Sequence, residues 1–121
     1  MERLTKAEEQ VMQVLWDLNG GFVKEVLEAM PEPKPAVTTV STIIRILEQK
    51  GFVSHEAYGR SHRYLPAVAK EHYAASQAQR MLSDYFDGSV QALVSHFVAR
   101  KDLDLAETEA LLKLLKKNKK G

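Results

Sequence analysis

Apolar residues recur along most of this chain at helical spacing, broken once by a short stretch of a different kind. Leu4, Ala7, Val11, Val14, Leu15 and Leu18 repeat at intervals of three and four, and Met12 and Trp16 widen the same face. Thr5-Lys6-Ala7-Glu8 has the form of a capping box, and Asn19-Gly20-Gly21 stops the run. Val23, Val26, Leu27 and Met30 predict a second, shorter helix. Pro31-Glu32-Pro33-Lys34-Pro35 then forbids helix, because each proline lacks an amide donor, and predicts an exposed loop.

The third helix is the most informative. Between Thr38 and Gly51 the apolar set is Val40, Ile43, Ile44 and Leu47. The complementary stripe is Thr38, Ser41, Thr42, Arg45 and Gln49, with Thr39 beside it. A solvated face more often carries Glu and Lys, which form helix better than Ser and Thr. Short hydroxyl side chains let a helix approach another surface closely and reach phosphates or base edges. Gly51 ends the helix at the position glycine favours.

The period then changes from helix to strand. Phe52–Tyr58 and Ser61–Leu65 flank Gly59-Arg60, a two-residue turn with glycine at its first central position. Arg60, Ser61, His62 and Arg63 lie at and just after the tip, and Pro66 closes the module. From residue 69 on, the chain reads as helix again. Ala74, Ala78, Met81, Leu82 and Tyr85 mark one side of a long helix over 69–86, and Asp87-Gly88-Ser89 breaks it. Val90, Leu93, Val94, Phe97 and Val98 mark a fifth helix. Asp104 and Glu107 form a second capping box ahead of Leu111, Leu112, Leu114 and Leu115.

The expected fold is mainly α with a small β-hairpin. Three helices and a basic-tipped hairpin follow the order of a winged helix-turn-helix module, placed at residues 1–68. Residues 69–121 form a three-helix layer too thin to bury its own apolar faces. Packing against the same elements of a second chain solves that problem, so this part is expected to make a homodimer. Leu82, Tyr85, Phe86, Leu93, Phe97, Leu111, Leu112 and Leu115 are its expected dimer contacts.

Charge sharpens the reading. Of 121 residues, 17 are Lys or Arg and 16 Asp or Glu, so the overall balance of +1 announces no partner. The distribution is uneven. Residues 1–32 carry three basic and seven acidic side chains, a balance of −4. Residues 33–66 carry Lys34, Arg45, Lys50, Arg60 and Arg63 against Glu48 and Glu56, a balance of +3. A basic patch on a nearly neutral protein is what a local phosphate contact needs. The absence of cysteine excludes disulfides, cysteine-type zinc fingers and thiol chemistry. No membrane span, secretion signal, nucleophile elbow, metal motif or phosphate-binding loop is found. The expectation is a soluble intracellular binding protein without catalytic residues or cofactor. His55 and His62 are read as cross-strand polar side chains rather than metal ligands.

The chain resembles the penicillinase-repressor family of bacterial winged-helix regulators (the BlaI/MecI/CopY group). The segments that carry the resemblance are Leu4–Met12 with Leu15-Trp16, Val26–Met30, Thr39–Thr42, Leu47–Val53, Gly59-Arg60 and Tyr64-Leu65-Pro66. Looser matches run through Phe86–Ser89, Leu93–Phe97 and Leu103–Leu115. The resemblance implies a cytoplasmic homodimeric repressor on a palindromic double-stranded operator of resistance or stress genes. Its third helix would enter the major groove, carrying Thr38, Thr39, Ser41, Thr42 and Arg45. Its wing would follow the backbone with Arg60, Ser61, His62 and Arg63, and Lys50 at the helix end is a further DNA candidate. Antibiotic-responsive members are relieved by cleavage of an Asn-Phe bond in the fifth helix, controlled by a membrane sensor. The aligned pair here is His96-Phe97, so the residue before the scissile bond differs. Copper-responsive relatives use C-terminal cysteines that this chain lacks. The alternative is a winged-helix protein-interaction module in a larger assembly, for which an apolar stripe on the third helix would have argued.

Overall fold

Thr5 begins the first helix by reciprocal hydrogen bonding. Its Oγ1 accepts from the Glu8 amide at 3.2 Å, and Glu8 Oε1 accepts from the Thr5 amide at 2.9 Å. Helix α1 (Lys6–Leu18) ends at Asn19, whose left-handed backbone (φ 56°) turns the chain away. This computed structural model describes residues 2–100 and 104–119; within the last helix it describes the side chains of 105–110, 112 and 113. The other elements are α2 (Val23–Ala29), α3 (Val37–Gln49), β1 (Val53–Tyr58), β2 (Ser61–Pro66), α4 (Lys70–Phe86), α5 (Val90–Ala99) and α6 (Leu105–Lys119). They fall into two compact units, Met1–Lys70 and Glu71–Gly121.

The first unit is built on α1–α3. Val11, Met12, Leu15, Val26, Val40, Ile44, Leu47 and Phe52 are essentially inaccessible to solvent. Each such side chain contributes about 1.5–3 kcal/mol on removal from water. Two residues of the expected α1 face, Ala7 and Leu18, are instead exposed. At the start of the helix the inward position goes to Glu8, a charged residue that apolar periodicity passes over.

Between α2 and α3 the proline loop is tied down by Lys34. Its ammonium donates to the carbonyls of Glu28 at 2.7 Å, Met30 at 2.9 Å and Leu27 at 3.3 Å. The Leu27 carbonyl also accepts the Met30 amide at 3.1 Å, so Lys34 supplements the last turn of α2, where a cation suits the helix dipole. At the other end of α2, Glu25 Oε1 accepts from the Phe22 amide at 2.9 Å.

The hairpin pairs Val53 with Pro66, Ala57 with His62 and Tyr58 with Ser61, around a turn in which Gly59 has φ +61°. A two-stranded hairpin alone is marginal in water. Here Gly21 exchanges two backbone hydrogen bonds with Tyr64, both 2.9 Å, and extends the sheet to the α1–α2 connection. Gly20, next to that bridge, has φ +103°. Beyond the hairpin, Trp16 Nε1 donates to the Val68 carbonyl at 2.8 Å.

The second unit has a small core of Leu82 and Leu93, with Ala78, Phe86, Val90 and Phe97 packed on it. Asp87 (φ 50°) and Gly88 (φ 77°) make the reversal between α4 and α5, and Ser89 Oγ caps α5 through the Ala92 amide at 3.1 Å. Asp104 Oδ1 accepts from the Glu107 amide at 2.7 Å at the start of α6, which packs against α5. The buried residues of α4 are Tyr73 and Leu82, with Ala78 and Phe86 half-buried against the latter, whereas Ala74, Met81 and Tyr85 of the expected set are exposed. Leu82 and Leu93, expected at a contact with a second chain, are buried within the unit at 2% exposure each. Tyr85 at 79%, Leu105 at 76%, Val98 at 47% and Met81 at 37% are its large exposed apolar side chains among the described residues. Phe86, Phe97 and Leu112 are half-buried, while the side chains of Leu111 and Leu115 lie outside the described residues. Among the described residues no helix is long and apolar enough to cross a membrane.

Candidate nucleic-acid interface

Helix α3 has two faces, and the buried one fixes the other. Val40, Ile44 and Leu47 seat it on the core of the first unit. Their burial leaves Thr38, Thr39, Thr42, Arg45 and Gln49 exposed, with Ser41 half-buried at the margin. The hydroxyls are not all equivalent. Thr42 Oγ1 donates to the Thr38 carbonyl at 2.9 Å, so its proton is engaged inside the helix and its lone pairs face out as acceptors. Arg45 has no hydrogen-bond or ion-pair partner among the described residues. Its five donors are available to a planar acceptor such as the O6/N7 edge of guanine.

The hairpin tip carries Arg60 and Ser61, both exposed, and Arg60 too is unpartnered among the described residues. His62 is exposed, but one of its faces is covered. It stacks on His55 with centroids 4.3 Å apart and planes 13° from parallel. His55 Nδ1 in turn pairs with Glu48 Oε2 on α3. A short column therefore joins the end of α3 to both strands of the hairpin. Sequence reasoning left Glu48 out of it, because nothing in the pattern sets it opposite His55. Among the described residues no group of three or more His, Asp or Glu side chains is arranged to hold a metal ion.

Two of the expected DNA-facing cations point elsewhere. Arg63 is half-buried, and its Nη2 donates to the Asn19 carbonyl at 3.3 Å, against the end of α1. Lys50 is bound to Glu8, with Nζ 2.8 and 3.1 Å from the two carboxylate oxygens. Its side chain is 25% exposed and that of Glu8 only 7%. Burial acts to raise the Glu8 carboxyl, but hydrogen bonds from Lys50 and Thr5, with the Lys50 charge, hold it below its ordinary value. Lys50 thus clamps the end of α3 to the start of α1. Of the four expected cations, Arg45 and Arg60 are without a hydrogen-bond or ion-pair partner among the described residues.

The sequence pattern of the penicillinase repressor family matches residues 4–117. The penicillinase repressor of Bacillus licheniformis is 24% identical over 118 residues, which span 97% of this chain and 92% of that one. The methicillin resistance regulatory protein MecI of Staphylococcus aureus is 24% identical over 115 residues, 94% of each chain. Among solved structures, the monomeric form of Bacillus licheniformis BlaI in complex with the blaP half-operator is 26% identical. It superposes with a TM-score of 0.50 and covers 60% of this chain and 89% of its own.

Proposed function

The chain belongs to the penicillinase repressor family of DNA-binding transcriptional repressors, and from that premise we propose how this member engages DNA. Helix α3 enters the major groove of a palindromic operator, the hairpin tip lies on the phosphate backbone, and two chains act together. The observation that carries this reading is the exposed hydroxyl stripe of α3 with Arg45 in its centre, unpaired among the described residues. Seating by Val40, Ile44 and Leu47 keeps that stripe outward.

Arg45 reads a base edge, and Arg60 holds a phosphate. Arg45→Ala is expected to remove about 1–3 kcal/mol of discrimination between operator and shuffled DNA, the worth of one bidentate base contact. Fluorescence anisotropy on the DNA upstream of the protein's own gene measures it; an unchanged preference would refute the assignment. Arg60→Ala is expected to weaken all sequences alike and to reduce the slope of log K against log salt by about 0.9. Titrations at several salt concentrations check this, and a change confined to one sequence would refute a phosphate contact.

The second chain docks on the α4–α6 unit. Support comes from the large exposed apolar side chains of that unit, above all Tyr85 and Leu105, which a monomer leaves in water. The protein works in the cytoplasm as a binding protein and not a catalyst. Its genes are of the antibiotic-resistance class, the reading that the names of its relatives support. Relief by proteolysis at His96-Phe97 requires α5 to open first, since both residues lie inside that helix and Phe97 packs on the Leu82–Leu93 core.

A further inference from the structure

A cleft of about 660 Å³ separates the first turn of α2 from the hairpin tip. Its apolar wall is an edge-to-face pair, Phe22 and Tyr58, with ring centroids 5.8 Å apart and planes at 74°. Lys24 and Arg60 line the same cleft, with Glu25 and His62 beside them. Neither Lys24 nor Arg60 has a hydrogen-bond or ion-pair partner among the described residues. Among the described lining residues the carboxylate is Glu25, which already accepts from the Phe22 amide. Tyr58 lines the cleft beside Phe22, and its hydroxyl donates to Glu56 Oε2 at 3.1 Å.

Two unpaired cations beside a pair of aromatic rings select a small ligand with both an anionic end and a flat apolar body. Cations pair best with a planar carboxylate, and ring faces and edges with another ring. The cleft is open to solvent on one side and has room for a ligand of a single ring. We propose that the cleft binds an aromatic monocarboxylate, and that the ligand draws Arg60 from DNA. This second part rests on the phosphate contact proposed for Arg60. Occupancy then lowers operator affinity by as much as DNA lowers ligand affinity, because the two compete for one guanidinium.

The test uses benzoate on the full chain, with cyclohexanecarboxylate and benzyl alcohol as probes lacking the ring or the charge. Ionic strength is held constant with chloride. In amide-resolved NMR titrations without DNA, benzoate is expected to give saturable shifts at Phe22–Glu25 and Tyr58–His62, and both control compounds weaker ones. Lys24→Met and Tyr58→Ala are expected each to weaken benzoate binding, the former by about tenfold, as loss of a charge-assisted hydrogen bond would. Absence of saturable shifts at these amides, or equal binding of all three compounds, overturns the site. With DNA present, benzoate is expected to weaken binding of the wild type and not of Arg60→Ala. If Arg60→Ala binds DNA as the wild type does, the phosphate contact fails while the ligand site stands on its own titration. If Arg60→Ala weakens DNA binding but benzoate never does, the competition is overturned.

Discussion

Glu8→Gln is expected to destabilise the protein by about 2 kcal/mol at neutral pH, with Lys50→Met costing a similar amount. Removing one partner of a buried ion pair costs about 3–5 kcal/mol where both groups are dry, and less where one reaches solvent. Lys50 does reach solvent, at 25% side-chain exposure against 7% for Glu8. The glutamine keeps an oxygen for the Thr5 amide but supplies no charge to Lys50. The effect also has a pH signature. The Glu8 carboxyl sits below its reference value of 4.5 in the folded protein, through Lys50 and Thr5 and against its own burial. A depressed carboxyl contributes stability above its unfolded value, which is lost as pH falls through the folded one. The gap between wild type and Glu8→Gln should therefore be full at pH 7 and narrow on acidification below about 4.5. Urea unfolding across that range measures it. A gap independent of pH would mean that the ion pair contributes nothing and that glutamine merely packs badly.

Gly20→Ala is expected to cost about 3 kcal/mol, combining backbone strain with a collision that has no outlet. At φ +103° an L side chain is strained wherever it sits. A Cβ there would also lie 2.7 Å from Leu65 Cδ2 and 2.9 Å from the Tyr64 carbonyl oxygen. Leu65 can turn aside; the Tyr64 carbonyl cannot, because it accepts the Gly21 amide at 2.9 Å. Gly51 supplies the control. It too has positive φ (+84°), but an added Cβ meets nothing within 4 Å, so Gly51→Ala should show strain alone, about 1 kcal/mol. Thermal unfolding of the two variants side by side decides the matter. Equal losses would show that Gly20 does not need its close approach to the hairpin.

What could be read in the sequence was mostly local. Thr5 with Glu8, the Gly59-Arg60 turn and the reversal at Asp87-Gly88-Ser89 each depend on residues a few positions apart, and their chemistry is visible as spelling. The exposed stripe of α3 was legible for the same reason, since helical spacing alone separates it from Val40, Ile44 and Leu47. Contacts across long separations were not. Glu8 and Lys50 are 42 residues apart, and each has a sufficient local explanation, one as a cap and the other as a charge at a helix end. Arg63 was placed on the wing by its position, but its guanidinium folds back to the end of α1. In α4 an apolar count sees Tyr85 and Leu82 as equals. Only the packing of α5 makes Leu82 the interior residue and leaves Tyr85 out.

The bond from Trp16 to the Val68 carbonyl gives the protein a built-in optical probe. It carries a single tryptophan, and that indole is fastened to the last stretch of chain before α4 begins. Emission from an indole depends on its hydrogen bond and on the water around it. Intrinsic fluorescence therefore reports, without any label, whether this junction stays seated when operator or ligand is added. An unchanged spectrum would place any response entirely beyond the junction. A red shift would show the chain lifting from α1 at the point where the first unit hands over to the second.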